Sequence, residues 1–189
     1  MDEIEIKFRV PDLAALNPRL QNLGLTQITP RTHEINILFD LPGRPLRAKG
    51  DLLRLRKYGD TWLLTHKAKT TNDSPHKIRV ETETRVADGE KMESILTALQ
   101  FQPVFRYEKF RAEWQAAHGH VVVDETPIGN FAEIEGPANW IDSIAQQLGI
   151  PPAQYITETY AALFFAWKRE SKSQAEEMTF AAVQSPRIL

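Results

Sequence analysis

Charged and apolar residues alternate along several short segments of this chain, and this pattern constrains the fold more than any other feature. Residues 2–9, for example, read Asp-Glu-Ile-Glu-Ile-Lys-Phe-Arg. Because successive side chains of a strand point to opposite faces, a period of two predicts strands with one charged and one apolar face. We predict eight such strands, at residues 2–9, 34–40, 51–58, 61–68, 77–86, 105–115, 119–125 and 131–136.

The polar positions of these strands are almost all fully charged, and two architectures accept that pattern. In one, the charged faces lie in solvent and form cross-strand ion pairs, as in many antiparallel sheets. In the other, the strands close around a charged lumen, and about eight strands suffice to hold one small ligand. Because the pattern recurs with few uncharged polar residues, we favour an α+β fold with a closed eight-stranded antiparallel β-barrel and helices packed outside.

Four amphipathic segments are predicted to form the covering helices. Helix-start signals stand at Pro11-Asp12, Asp88, Pro137 and Thr157. The chain has 189 residues, which suits one domain, and we assign residues 1–168 to it. The remaining residues, 169–189, are polar and weakly periodic, so we expect a partly mobile C-terminal tail.

Composition excludes several classes of function. The chain has no cysteine, which rules out disulfides, thiolate catalysis and cysteine-ligated metals. The formal net charge of −2 does not indicate a nucleic-acid partner. The N-terminus lacks the features of a signal peptide and no stretch suits a membrane span, so we expect a cytoplasmic protein without a membrane partner. His118 and His120 flank a glycine between two strands, and we interpret them as a surface turn rather than a metal pair.

The inward faces of such a barrel would carry charges of both signs. The basic set is Lys7, Arg54, Arg56, Lys67, Lys77, Arg79, Lys109 and Arg111. The acidic set is Glu3, Glu5, Glu81, Glu83, Asp124, Glu133 and Glu135. Buried charges are costly unless they are paired or used. Guanidinium and ammonium groups bind phosphate oxygens, and close carboxylates bind Mg²⁺ or Mn²⁺. This combination predicts a small triphosphate ligand bound together with a divalent metal.

In their order along the chain, these motifs resemble the CYTH family, named for class IV adenylate cyclases and thiamine triphosphatases. The resemblance covers residues 1–168 and includes Asn36, Phe39-Asp40 and Thr159-Tyr160. Its main motifs are Glu3-x-Glu5-x-Lys7, Arg54-x-Arg56, Thr65-x-Lys67, Lys77-x-Arg79-x-Glu81-x-Glu83, Lys109-x-Arg111, Asp124 and Gly129-x-Phe131-x-Glu133-x-Glu135. It implies a triphosphate tunnel with metal-dependent chemistry.

The resemblance also implies roles for individual residues. The basic set would bind the phosphates of the substrate. Glu3, Glu5, Glu133 and Glu135 would hold the metal, with Asp124 as a further ligand. Glu81 and Glu83 would either bind metal or orient the arginines. The residues expected to be catalytic are Glu3, Glu5, Lys7, Arg54 and Arg56.

Three functions remain open at this point. The leading prediction is hydrolysis of inorganic triphosphate, a nucleoside triphosphate or thiamine triphosphate. The second is cyclisation of ATP, in which the ribose 3′-hydroxyl attacks the α-phosphorus and pyrophosphate leaves. The third is a non-catalytic polyphosphate-binding module, which the paired carboxylates disfavour because simple binding needs chiefly cations. The sequence identifies no residue that recognises a base, and it leaves the oligomeric state open, a dimer included.

Overall fold

A computed structural model describes residues 2–69 and 75–184 of the chain. Its strands are β1 (Asp2–Arg9), β2 (Thr26–Asp40), β3 (Leu52–Tyr58), β4 (Thr61–Lys69), β5 (Lys77–Val86), β6 (Gln102–Ala116), β7 (Gly119–Thr126) and β8 (Gly129–Glu135). Its helices are α1 (Leu13–Asn22), α2 (Pro45–Lys49), α3 (Gly89–Ala98), α4 (Ala138–Gln147), α5 (Tyr160–Ser171) and α6 (Phe180–Gln184). Within the described ranges, none of the helices is both long and apolar enough to cross a lipid bilayer.

All eight strands belong to one closed antiparallel barrel, in the spatial order β1-β5-β4-β3-β2-β6-β7-β8. β1 closes the barrel because it pairs with a neighbour on each side. Glu5 lies opposite Lys77 of β5 on one side and opposite Glu135 of β8 on the other. The closed eight-stranded barrel predicted from the alternating pattern is therefore confirmed.

One face of the strands carries charged side chains toward the lumen, and the other carries apolar side chains toward the helices. On β1, Ile6 is fully buried outside the barrel, in a cluster with Leu20 of α1 and Ile141 of α4. Its neighbours Glu5 and Lys7 face the lumen instead. α3 covers β2 and β3 from the outside in the same way. The hydrophobic core thus lies between the barrel wall and the helices, where each fully buried aliphatic side chain contributes about 1.5–3 kcal/mol.

α5 differs from the predicted covering helices, because it packs on inward-facing residues and closes one end of the barrel. Tyr160 of α5 contacts Phe131, which lies two residues before the inward-facing Glu133 on β8. The predicted N-cap at Thr157 is also wrong. The hydroxyl of Thr159 caps the helix by accepting a hydrogen bond of 3.2 Å from the backbone N–H three residues later.

β2 is longer than the sequence predicts, since it begins at Thr26 rather than at residue 34. The added segment pairs with β6 but contains register shifts between Gln27 and Thr29 and between Thr29 and Thr32. Pro30 lies in the second irregularity and cannot donate to the ladder. This segment carries no regular alternation of charged and apolar residues, so the strand pattern could not reveal it.

The segment predicted as a mobile tail packs on the barrel at several of its described residues, with Ala175 and Met178 buried. α5 itself continues to Ser171, beyond the predicted boundary at residue 168. Further on, the backbone of Met178 bonds to Arg106 and Glu108 of β6 at 3.1 Å each, and its side chain is fully buried. β6 has these groups available because its pairing with β7 starts only at Phe110. The predicted tail residues 185–189 lie outside the described residues.

Met178→Ala is expected to lower the free energy of unfolding by about 2–5 kcal/mol, because a fully buried side chain leaves a cavity. Equilibrium unfolding in urea measures the change. Ile95→Ala provides the control, since Ile95 is 52% exposed on α3 and its truncation is expected to cost about 0.5 kcal/mol or less. Equal effects of the two substitutions would contradict the packing of this segment.

Candidate active site

A cavity of about 370 Å³ lies inside the barrel. All eight predicted basic residues line it, together with six of the seven predicted acidic residues; Asp124 is the exception. The alternating pattern therefore identified most of the wall. The wall also contains residues that the sequence prediction did not include, namely Leu52, Tyr107, Glu113, His120, Val122, Thr159 and Tyr160.

Arg54 and Arg56 lie next to each other on the inward face of β3. Arg54 donates to the hydroxyl of Thr65 at 3.4 Å and lies 3.8 Å from the Glu83 carboxylate. Arg56 pairs more closely with Glu83, at 2.9 Å. The Nε–H groups of both arginines are buried, and neither has a hydrogen-bond partner among the described residues. A buried donor without a partner is unfavourable, so both guanidinium groups favour an anion in the cavity.

Asp124 lies behind the cavity wall and anchors cations that line it. Its carboxylate accepts hydrogen bonds from Lys109 at 2.9 Å, from Arg111 at 2.7 Å and from the Tyr160 hydroxyl at 2.6 Å. Asp124 is fully buried, and burial together with its carboxylate raises the pKa of Tyr160 well above the ordinary value. To act as the predicted metal ligand, Asp124 would have to exchange these hydrogen bonds for contacts with the metal.

The ring of Tyr160 forms part of the cavity wall beneath two ammonium groups. Lys7 Nζ lies 4.6 Å from the ring centroid and Lys109 Nζ lies 4.7 Å from it. Lys7 is also paired with Glu133 at 2.8 Å. Cation–π contacts and the ion pair thus hold both lysines at the α5 end of the cavity.

Glu3 and Glu5 of β1 are held by lysines from neighbouring strands. Glu3 pairs with Lys67 at 2.6 Å, and Lys67 also reaches Glu81 at 3.0 Å. Glu5 pairs with Lys77. Burial and the charge of Glu133 oppose ionisation of Glu5, but the nearby lysines keep its pKa below the ordinary value. Burial, together with the charge of Glu5, raises the pKa of Glu3 in spite of its pairing with Lys67.

Glu135 has a different environment from the other carboxylates of β1 and β8. Among the described residues, no cation lies within 4.0 Å of its carboxylate. Burial, followed by the charges of Glu3 and Glu5, raises the pKa of Glu135 to about 7. Crowded carboxylate oxygens of this kind are the donors that Mg²⁺ and Mn²⁺ prefer. The donor chemistry therefore fits a hard divalent cation.

The carboxylates are not arranged as a formed metal centre. Across residues 2–69 and 75–184, no group of three acidic or histidine side chains has a geometry that could hold a metal ion. Glu3 and Glu5 point toward lysines, so a cation could bind only if these ion pairs were exchanged for metal contacts. The predicted four-carboxylate metal site stays a prediction.

Two features of the site were missed or misread from the sequence. Glu34 is fully buried among the lumen cations, and the signal for it was its spacing of two residues from Asn36 on a predicted strand. His120 was predicted to lie in a surface turn with His118. The turn includes His118 but not His120. β7 starts at Gly119, as the predicted strand 119–125 has it, and His120 lines the cavity opposite Glu135.

The fold and the lumen define a barrel of the triphosphate-tunnel type, closed by eight antiparallel strands and lined by charges of both signs. The chain belongs to the CYTH family, since the model of the CYTH domain matches residues 1–160. The resemblance found in the sequence motifs is therefore confirmed.

Individual relatives agree with this assignment. The chain is 29% identical over 136 residues to a Methanocaldococcus jannaschii protein, MJ0240, that is provisionally named an adenylate cyclase, covering 71% of this chain and 77% of that protein. It is 26% identical over 172 residues to adenylate cyclase CyaB of Aeromonas hydrophila, covering 85% and 87%. Its fold is similar to that of HpAC1 from Hippeastrum, with a TM-score of 0.64, 20% identity and coverage of 87% and 95%. HpAC1 is provisionally called an adenylyl cyclase and described as having a dominant triphosphatase activity.

Proposed function

We propose that the protein is a metal-dependent triphosphatase that hydrolyses inorganic triphosphate, a nucleoside triphosphate or thiamine triphosphate. The observation that carries this proposal is the convergence of cations from five strands on one cavity of about 370 Å³ inside the barrel. A lumen of that size with so many cations favours a small ligand of high negative charge. Family membership supports the same class of substrate.

The residues of the chain would act mainly by binding and orientation. The forked donors of Arg54 and Arg56 would hold phosphate oxygens from β3, while Lys109 and Arg111 would hold them from β6. Fixed cations stabilise the charge that develops on the transferred phosphoryl group without reorganising during the reaction. Lys7, held over the Tyr160 ring, would contribute a point charge at the α5 end.

Carboxylates of β1 and β8 would hold the divalent cation, which we propose to be Mg²⁺ or Mn²⁺. The candidates are Glu3, Glu5, Glu133 and Glu135. When bound, such an ion supplies charge neutralisation and activation of the attacking water. Glu135 is the best candidate of the four, because no cation lies within 4.0 Å of its carboxylate among the described residues. Burial and the charges of Glu3 and Glu5 also raise its pKa to about 7.

A second candidate is cyclisation of ATP, which is favoured by the adenylate cyclase names of the Aeromonas and Methanocaldococcus relatives. The tyrosines of the cavity wall favour hydrolysis instead. The ring of Tyr160 faces the ammonium groups of Lys7 and Lys109, and Tyr107 packs against Phe105 and Tyr160. Both rings thus already have partners within the site, whereas inorganic triphosphate needs no aromatic contact.

Product analysis decides between the two reactions. We expect orthophosphate from inorganic triphosphate and from ATP in the presence of Mg²⁺ or Mn²⁺, with no cyclic AMP. Anion-exchange chromatography of the products after incubation separates all of these species. Cyclic AMP together with pyrophosphate would overturn the hydrolase assignment, and binding of triphosphate without any product would favour a binding module.

A further inference from the structure

Glu34 of β2 is a fully buried carboxylate among the lumen cations. Its oxygens lie 3.4 Å from Lys109 Nζ, 3.7 Å from Arg56 Nη1 and 4.0 Å from Arg111 Nε. Asn36, two residues along the same face, donates a hydrogen bond of 2.9 Å to Oε1. Oε2 has no hydrogen-bond partner among the described residues and meets its cations only at ion-pair distance.

The place of Glu34 in the barrel is distinctive because β2 lies between β3 and β6. Glu83 pairs with the arginines of β3, and Asp124 pairs with the cations of β6. Among ion pairs of the described residues, Glu34 is the carboxylate that contacts Arg56 of β3 and the Lys109–Arg111 pair of β6 together. It therefore links the two sets of cations across the strand that separates them.

The electrostatics of the cluster require a negative charge at this place. Burial disfavours ionisation of Glu34, but Lys109, Arg111 and Arg56 hold its pKa far below the ordinary value, so it is charged. Burial and neighbouring guanidinium groups lower the pKa of Arg56, and Glu34 opposes that shift. Without the carboxylate, like charges would face one another across β2 in a poorly solvated environment.

We propose that Glu34 is a positioning residue that holds Arg56 and the Lys109–Arg111 pair at the separation at which one phosphate group can contact both. The proposal rests on the proposed function, because the phosphate concerned belongs to the substrate. The same negative charge weakens the attraction of the lumen for anions. Glu34 thus sets the geometry of the site and lowers its affinity.

The test is Glu34→Gln, which keeps the shape of the side chain and an acceptor for Asn36 but removes the charge. With inorganic triphosphate as substrate, kcat is expected to fall at least about tenfold, because the cations separate and hold the phosphate imperfectly. KM is expected to fall as well, because the lumen becomes more positive. A rise in KM, or an unchanged kcat, would overturn the proposal.

A matched control carries the same substitution on the outside of the barrel. Glu125 pairs with Arg31 at 2.7 Å, and the two side chains are 32% and 53% exposed. Glu125→Gln is expected to leave kcat and KM unchanged. Should Glu34→Gln fail to fold, Glu34→Asp keeps the charge but withdraws it by one methylene. This variant should lose kcat with KM near the wild-type value, and normal kcat would count against positioning.

Thermal melts separate this proposal from the proposed function. Without ligand, Glu34→Gln should melt below the wild type, because its lumen cations repel one another. Added inorganic triphosphate should raise its melting temperature by more than it raises that of the wild type. A wild type that binds triphosphate but never turns it over would defeat the proposed function alone. Equal ligand-induced shifts in wild type and variant would defeat the role of Glu34 alone.

Discussion

Arg54→Ala is expected to weaken triphosphate binding by about 2–3 kcal/mol, roughly a 30- to 150-fold rise in KM, and to lower turnover. Arg54 is 8% exposed, its Nε–H has no partner among the described residues, and its nearest carboxylate, Glu83, lies 3.8 Å away. Its Nε–H is therefore available to a phosphate. The fold should survive, because removing this cation relieves repulsion of Arg56. A phosphate-release assay and a thermal melt measure the two effects.

Three further variants serve as comparisons and controls for Arg54→Ala. Arg56→Ala should raise KM less, because Arg56 already pairs with Glu83 and Glu34. Arg54→Lys should restore activity only in part, since an ammonium group cannot reproduce the guanidinium fork. Arg19→Ala, at an exposed position on α1, should behave as the wild type. Wild-type kinetics in Arg54→Ala would show that this face of β3 does not bind the substrate.

The barrel could be predicted because the alternation of charged and apolar residues that indicates it lies within each strand. A strand alternates its faces every residue, so a charged lumen leaves a period of two in each strand separately. Closure followed from the number of such strands and from the need to cover an apolar exterior. The residues of the wall follow from the same pattern, and Glu3, Arg54 and Glu133 all face the cavity as predicted.

Features that depend on the whole fold could not be predicted in this way. A helix has the same apolar stripe whether it covers the barrel or closes its end. The sequence therefore could not show that Tyr160 of α5 lies in the cavity wall. Asp124 lies on a strand that has no alternation of charged and apolar residues. Its depth behind Lys109 and Arg111 depends on the neighbouring strands. Met178 docks on backbone groups that β6 leaves unpaired, and only the completed register of the sheet shows them.

Glu135→Gln is expected to remove most of the stabilisation by Mg²⁺ or Mn²⁺ and nearly all phosphate release. Among the described residues no cation lies within 4.0 Å of its carboxylate, and it is close enough to Glu3 and Glu5 to be repelled by them. A bound divalent cation would relieve that repulsion and so raise the melting temperature of the wild type. Without metal, the variant should melt no lower than the wild type. Thermal melts with metal and with a chelator, run beside a phosphate-release assay, measure both effects.

Glu133→Gln is the informative comparison, because it removes a carboxylate of the same strand that is already engaged. Glu133 contacts Lys7 at 2.8 Å and Arg111 at 2.6 Å, and Lys7 is 2% exposed. Its loss removes the ion-pair partner of the buried Lys7, whereas Arg111 keeps its contacts with Asp124. This variant should therefore be destabilised by about 3 kcal/mol even without metal. Two carboxylates on one strand would then have opposite effects on the metal-free fold. If Glu135→Gln keeps both its metal response and its turnover, Glu135 is not a metal ligand, and the cation would have to be held by Glu3 and Glu5 after they exchange their lysines.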